Sequence, residues 1–152
     1  MPRLALYQPD IPQNTGAAVR LCAALGVALD IIEPCGFALS DQALRRVAMD
    51  YAAKADITRH SSWDAFQTWR AADQTRRLIL LTTKSDVPYT EFLFLPNDIL
   101  MLGRESAGAP DEVHAACDAR LTIPVVARSL NIMMAGAMAL GEALRQTDGF
   151  KG

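Results

Sequence analysis

The chain has 152 residues, of which 51% are hydrophobic and 21% are charged, a composition ordinary for one globular domain spanning residues 1–152. No apolar run approaches the ~20 residues that a membrane helix needs, and the N-terminus lacks a basic-then-apolar signal pattern, so we expect a cytoplasmic protein. The net charge of −2 argues against a protein that coats nucleic acid through bulk charge, although it leaves room for a local basic face. The three cysteines are widely spaced and fit neither a zinc site nor a disulfide framework.

Strand-like and helix-like segments alternate along the whole chain, and no internal repeat or domain linker interrupts them. The expected elements are, in chain order, a strand at 3–7, a helix from Asn14 to a C-cap at Gly26, a strand at 28–32, a short helix at 40–46 capped by Ser40, a minor strand at 55–58, a helix at 61–72, strands at 78–81 and 99–102, a helix from Pro110, a last strand at 121–123, and a helix of about 15 residues from Leu130.

The strands at 78–81 and 99–102 are continuous apolar runs, as is typical of parallel strands buried on both faces. Alternation of such strands with helices predicts an α/β fold with a mainly parallel sheet and helices on both faces. Trp63, Phe66 and Trp69 recur every third residue, which favours a core-facing helix over a platform for stacking bases.

Three loops follow predicted strands, at residues 81–84, 103–105 and 123–129. Ligands of open α/β sheets bind outside the carboxyl ends of the strands, so these loops are the candidate binding site. Gly103 and Gly108 would let the backbone approach a ligand closely, although ordinary turns would also explain them.

Several familiar sites are missing from the sequence. Neither GxGxxG nor GxxxxGK[ST] is present, which argues against a dinucleotide enzyme and a P-loop NTPase, and no GxSxG elbow supports serine-hydrolase chemistry. His60 and His114 are isolated from each other and from carboxylate clusters, so we expect no metal site.

Arg20 is the most unusual side chain of the first predicted helix. It lies four residues after Gly16, on the same helical face, in an otherwise apolar segment. An arginine there could bind phosphate or stabilise a developing oxyanion, or it could pair with an acid near the sheet edge.

Three ordered segments together resemble the motifs of the SPOUT (SpoU–TrmD) RNA methyltransferases. They are residues 14–23 (NTGAAVRLCA), residues 102–108 (LGRESAG), and Ile123-Pro124 followed by Ser129-Leu130-Asn131. Ile32-Glu33-Pro34 and Met49-Asp50-Tyr51 are similar to the small TrmL branch of that family. The resemblance covers nearly the whole chain.

The resemblance implies methyl transfer from S-adenosylmethionine to the ribose 2′-oxygen of the wobble nucleotide (position 34, cytidine or a uridine derivative), in the anticodon stem-loop of tRNA. It also implies a C-terminal trefoil knot, which is an exception to the rule that chains avoid knots. Proteins of this kind are homodimers whose active sites use both subunits, and the small residues Ala137 and Gly141 of the last helix would suit close approach of a partner helix or packing within one domain. No metal is implied.

The site residues follow by motif match. Arg20 matches the catalytic arginine, and because a guanidinium stays protonated, its expected role is to favour the ionised 2′-hydroxyl and hold it in line with the methyl carbon. Asn14 and Glu105 would orient Arg20 or the ribose, and Asn131 and Arg128 would contact the substrate, with Asn131 alternatively capping the knot loop. The cofactor would rest on Leu81, Thr82, Gly103, Ile123, Ser129 and Leu130.

The chain departs from the branch at Ala107 and Gly141, where arginine and tyrosine are common, and at Met133-Met134, which replace polar residues. Two other classes of protein therefore compete with the enzyme. One is a knotted RNA-binding or assembly protein without activity, and the other is a nucleotide-binding regulatory domain.

Overall fold

The computed structural model describes residues 1–48, 55–128 and 130–151. Ser129 and the Met49-Asp50-Tyr51 segment lie outside these ranges. Within them the elements are β1 (Arg3–Tyr7), α1 (Pro12–Leu25), β2 (Leu29–Ile32), α2 (Asp41–Ala48), β3 (Ile57–His60), α3 (Trp63–Ala71), β4 (Leu78–Leu81), β5 (Ile99–Leu102), α4 (Asp111–Ala116), β6 (Ala119–Leu121) and α5 (Ile132–Gln146), with a 3-10 turn at Tyr89–Glu91.

The strands form one sheet in the order β3-β2-β1-β5-β4-β6, and every neighbouring pair is parallel. The predicted α/β class with a parallel sheet is therefore confirmed. From β1 the chain moves outward through β2 and β3, then crosses to β4, and β5 returns to lie beside β1. The carboxyl ends of β1, β5 and β4 meet at this reversal, where open α/β sheets bind their ligands.

Side chains alternate along β1 between two hydrophobic clusters, one on each face of the sheet. Leu4 and Leu6 belong to the cluster that contains the buried faces of α1 and α5. Ala5 and Tyr7 belong to the other cluster, which α3 and α4 cover. Phe66 is fully buried there, and its neighbours on α3, Trp63 and Trp69, pack against the same cluster. This confirms that the aromatic residues of α3 are core residues.

The helix ends follow local chemistry. Helix α1 begins two residues before the predicted Asn14, because Pro12 is well suited to the first helical position, and it ends at Gly26 with a φ of 68° as predicted. Ser40 precedes α2 and its hydroxyl accepts a hydrogen bond from the Ala43 amide at 3.0 Å, as an N-cap does. Within the described residues, no helix is long and apolar enough to cross a membrane.

The chain after β6 leaves the sheet earlier than predicted. We expected a strand at 121–123, but β6 ends at Leu121 because Thr122 pairs with the loop that follows β4. The Thr122 amide donates to the Val87 carbonyl at 2.8 Å, and the Tyr89 amide donates to the Thr122 carbonyl at 2.9 Å. The predicted last helix likewise begins at Ile132 rather than at Leu130.

Candidate active site

The carboxyl ends of β4 and β5, the segment after β6 and the start of α5 enclose a cavity of about 610 Å³. This volume is within the usual range for a small-molecule or cofactor site. Five of the six predicted cofactor residues line the cavity, and the sixth, Ser129, lies outside the described residues. The five are Leu81, Thr82, Gly103, Ile123 and Leu130.

The wall formed by the loop after β5 is closely packed main chain. The Arg104 amide donates to the Gly108 carbonyl at 3.2 Å, and the Gly108 amide donates back to the Arg104 carbonyl at 2.8 Å. A Cβ on Gly103 would lie 2.9 Å from both the Ala109 nitrogen and the Gly108 carbonyl carbon, so any other residue there would force the main chain of the loop to shift. Gly108 has a φ of +64°, a conformation that favours glycine.

The wall formed by the loop after β4 is held by the neighbouring strand. The Thr82 amide donates to the Leu121 carbonyl at 2.8 Å, and the Thr82 hydroxyl accepts from the Lys84 amide at 3.2 Å. These bonds turn the chain away from the sheet directly after β4 and bring main-chain groups to the cavity.

Glu105 lines the cavity and is tied to the loop after β1. The Asp10 amide donates to Glu105 Oε2 at 3.0 Å, and the Glu105 amide donates to Asp10 Oδ1 at 3.2 Å. The Ser106 hydroxyl donates to the second carboxylate oxygen of Asp10. Burial, and then the hydrogen bond with Asp10, raise the pKa of Glu105, while the hydrogen bonds with Glu105 and Ser106 lower the pKa of Asp10. We call this arrangement the Asp10–Glu105 clamp.

Asn14 lines the cavity from the first turn of α1, but Arg20 is not among the described residues that line it. Arg20 is exposed, whereas the buried residues of α1 are Thr15, Gly16, Ala18, Val19 and Cys22. Six residues along a helix separate Asn14 and Arg20 by about 9 Å. The position of Arg20 at the active site therefore stays a prediction.

Arg128 and Asn131 both line the cavity, near the start of α5. The side-chain oxygen of Asn131 accepts hydrogen bonds from the Met133 and Met134 amides, at 2.9 and 3.3 Å. Asn131 is thus the N-cap of α5, and its contact with substrate stays a prediction.

Residues 1–141 match the SpoU rRNA Methylase family. The chain belongs to this family. It is 57% identical over 145 residues to the tRNA (cytidine(34)-2'-O)-methyltransferase of Beijerinckia indica, a match that covers 94% of this chain and 90% of the relative. It is 40% identical over 150 residues to the enzyme of the same name from Escherichia coli K12, a match that covers 96% of this chain and 94% of that relative.

Solved structures agree with this membership of the SpoU family. A structure described as giving insights into the 2-OH methylation of C/U34 on tRNA has a TM-score of 0.89 and 39% identity, and covers 96% of this chain and 95% of that chain. The SpoU methyltransferase AviRb from Streptomyces viridochromogenes, in complex with the cofactor AdoMet, has a TM-score of 0.84 and 26% identity over 96% of this chain and 60% of that chain.

In this member of the SpoU family, the cavity also contains ionisable residues to which sequence analysis gave no role. Lys84, Arg104 and His114 line it together with Arg128. Burial, and then the nearby Lys84, lower the pKa of His114. The sequence signal available for Lys84 and Arg104 was their place in loops that directly follow predicted strands. His114 lies on α4, and no local pattern pointed to the site.

Proposed function

We propose that this protein transfers a methyl group from S-adenosylmethionine to the ribose 2′-oxygen of the wobble nucleotide of tRNA, cytidine or modified uridine at position 34. The observation that carries this proposal is the cavity at the carboxyl ends of β4 and β5, in a chain 57% identical to a tRNA (cytidine(34)-2'-O)-methyltransferase over 94% of its length. Relatives with that name favour an enzyme over a knotted binding protein without activity. A tRNA substrate also favours action in the cytoplasm.

The cavity fits S-adenosylmethionine by its size and by its walls. It is large enough for a nucleoside with an amino-acid arm, and its main-chain groups at Leu81, Gly103 and Ile123 can recognise an adenine through hydrogen bonds. The close packing at Gly103 keeps a side chain out of that wall. The cofactor, when bound, supplies a methyl group on a positively charged sulfur.

The protein's part in the reaction is to position the ribose 2′-hydroxyl and to stabilise its oxygen as its proton passes to solvent. Arg20, always protonated, would lower the cost of the ionised 2′-oxygen and hold that oxygen in line with the methyl carbon. Asn14, within the cavity, would orient the ribose. Glu105 would keep the loop after β5 in place through the Asp10–Glu105 clamp.

A homodimer would explain why Arg20 is exposed. Helix α1 packs beside α5, and both present exposed residues to solvent on this side of the molecule. A symmetric partner on that side could receive Arg20 at its own cavity, so that each active site uses both subunits. We further propose that the pairing of Thr122 with residues 87–89 marks the crossing of a trefoil knot.

Substitution of Arg20 tests the catalytic assignment. Arg20→Ala is expected to lower the rate of methyl transfer to tRNA by at least about 100-fold, because it removes the charge that stabilises the developing oxyanion. Transfer is measured with radiolabelled S-adenosylmethionine and purified tRNA, and cofactor affinity is measured by calorimetry. The affinity is expected to stay unchanged.

Lys151→Ala, which removes a positive charge from an exposed residue near the C-terminal end of α1, is the matched control and should keep full activity. Normal turnover by Arg20→Ala would remove Arg20 from the mechanism. The target nucleotide is tested separately by mass mapping of ribose methylation in tRNA from cells with and without the gene. An unchanged level at position 34 would contradict the proposed function.

A further inference from the structure

The guanidinium of Arg104 is held in place by the protein, yet its terminal nitrogens are not used. Its Nε donates to the Gly108 carbonyl at 3.0 Å, and its carbon lies 5.7 Å from the centre of the Tyr7 ring. Among the residues that the structure describes, neither terminal nitrogen has a hydrogen-bond partner, and no carboxylate is within ion-pair distance. An arginine fixed in this way loses little side-chain entropy when a ligand binds to it.

The loop that carries Arg104 is itself rigid. Two main-chain hydrogen bonds between Arg104 and Gly108 close it, and the Asp10–Glu105 clamp fastens its middle to the loop after β1. The four N–H groups on the terminal nitrogens are therefore presented from a fixed position at the cavity, which Arg104 lines.

The side chain of Arg104 lies toward β1, although its main chain belongs to the predicted cofactor loop after β5. Strand β5 lies between β1 and β4, and the cofactor loops follow β4, β5 and β6. The Arg104 side chain extends over Tyr7, the last residue of β1. Strands β1 and β4 lie on opposite sides of β5, so this side chain extends away from β4. Helix α1 begins on this same side, and Asn14 reaches the cavity from there.

The charge of the cavity favours an anion. Among the described residues, its lining includes the cations Lys84, Arg104 and Arg128 and one carboxylate, Glu105, which already accepts a main-chain hydrogen bond. The positively charged sulfonium of S-adenosylmethionine is not stabilised by these cations. A phosphate, whose oxygens match the fork of a guanidinium, gains a bidentate contact.

We infer that Arg104 binds a backbone phosphate of the RNA substrate, next to the ribose that receives the methyl group. The inference rests on the proposed function for its substrate class. Arg104 acts here as a substrate-positioning group, separate from Arg20, and fixes the RNA on the β1 side of the cavity while the cofactor occupies the β4 side.

The test measures RNA binding directly, without turnover. Fluorescence anisotropy with a labelled tRNA anticodon stem-loop gives the Kd of the wild-type protein, Arg104→Gln, Arg104→Lys and the control Lys151→Gln at several salt concentrations. Arg104→Gln is expected to raise the RNA Kd about tenfold. It should also make the plot of the logarithm of the RNA association constant against the logarithm of the salt concentration shallower by about 0.7, the value for one phosphate contact on a single strand. Arg104→Lys should keep the slope but lose part of the affinity, since it lacks the fork and Nε.

Calorimetry with S-adenosylmethionine and thermal melting complete the test, and both are expected to match the wild type in Arg104→Gln. A tenfold loss of cofactor affinity with unchanged RNA binding would overturn the inference and place Arg104 on the cofactor's carboxylate. A higher RNA Kd with an unchanged salt slope would also overturn the inference, because the loss of affinity would then come from a changed loop conformation. Tight RNA binding by a wild-type protein that transfers no methyl group would contradict the proposed function while leaving this contact measurable.

Discussion

Gly103 shows how one residue determines the shape of the cavity wall. A Cβ there would meet main-chain atoms of residues 108 and 109 at 2.9 Å, and these atoms cannot move without breaking the hydrogen bonds that close the loop. Gly103→Ala is therefore expected to lower the free energy of unfolding by about 1–3 kcal/mol, as overpacking does, and to weaken S-adenosylmethionine binding at least tenfold. Urea denaturation and calorimetry measure the two effects.

Gly141→Ala is the control for cofactor binding, since within one chain a Cβ at that position on α5 has no neighbour within 4 Å. The methyl group should raise helix stability by about 0.5–1 kcal/mol and leave cofactor binding unchanged. If Gly103→Ala were as stable as the wild type and bound cofactor equally well, the loop after β5 would be more adaptable than its packing indicates.

At the scale of elements, the Asp10–Glu105 clamp joins the loops after β1 and β5 on the two neighbouring strands. Asp10→Ala removes the acceptors of the Glu105 amide and the Ser106 hydroxyl, so we expect a loss of about 1–2 kcal/mol of stability and about tenfold in kcat. Time courses of methyl transfer measure kcat, and urea denaturation curves measure the free energy of unfolding. In a double-mutant cycle with Glu105→Ala, the two losses should be clearly less than additive.

Asp73→Ala provides the comparison for a purely local turn. Asp73 accepts hydrogen bonds from the Thr75 amide and hydroxyl, at 3.0 and 2.6 Å, in an exposed turn before β4. Removal of this side chain should lower the free energy of unfolding and leave kcat unchanged. Equal effects of Asp73→Ala and Asp10→Ala on kcat would show that the clamp has no special role in positioning the site.

The elements that the sequence predicted well are those that depend on local patterns. The apolar runs predicted the first and last residues of β4 and β5 correctly, and Gly26 predicted the end of α1. The end of β6 was wrong because Thr122 pairs with residues 87–89, a contact that no local periodicity contains. Asp10 was missed for the same reason, since its partner Glu105 lies 95 residues later in the chain.

At the scale of the whole molecule, the sequence predicted a parallel sheet but not the order of its strands. Five of the six predicted cofactor residues line one cavity because parallel strands bring their carboxyl ends to one edge. Arg20 shows the limit of this reasoning. Helical spacing shows that Arg20 and Gly16 share a helical face, yet the burial of Ala18, Val19 and Cys22 determines that Arg20 is exposed.

The exposed face of α5 predicts how two copies assemble. Met134 and Met138 lie four residues apart on this helix, and they are 65% and 44% exposed. Flexible apolar side chains grouped in this way are typical of a protein interface. We therefore expect the wild-type protein to sediment as two copies of the 16.5 kDa chain.

Met138→Glu places a charge in that face and should give a monomer, because an unpaired charge buried between two copies costs more than the contact gains. If Arg20 reaches the partner's cavity, this monomer will bind S-adenosylmethionine normally and transfer no methyl group. Leu93→Glu makes the same change at a residue 74% exposed in the loop before β5, and should stay dimeric and active. A monomeric Met138→Glu protein with full activity would show that each chain completes its own active site, without Arg20 from a partner.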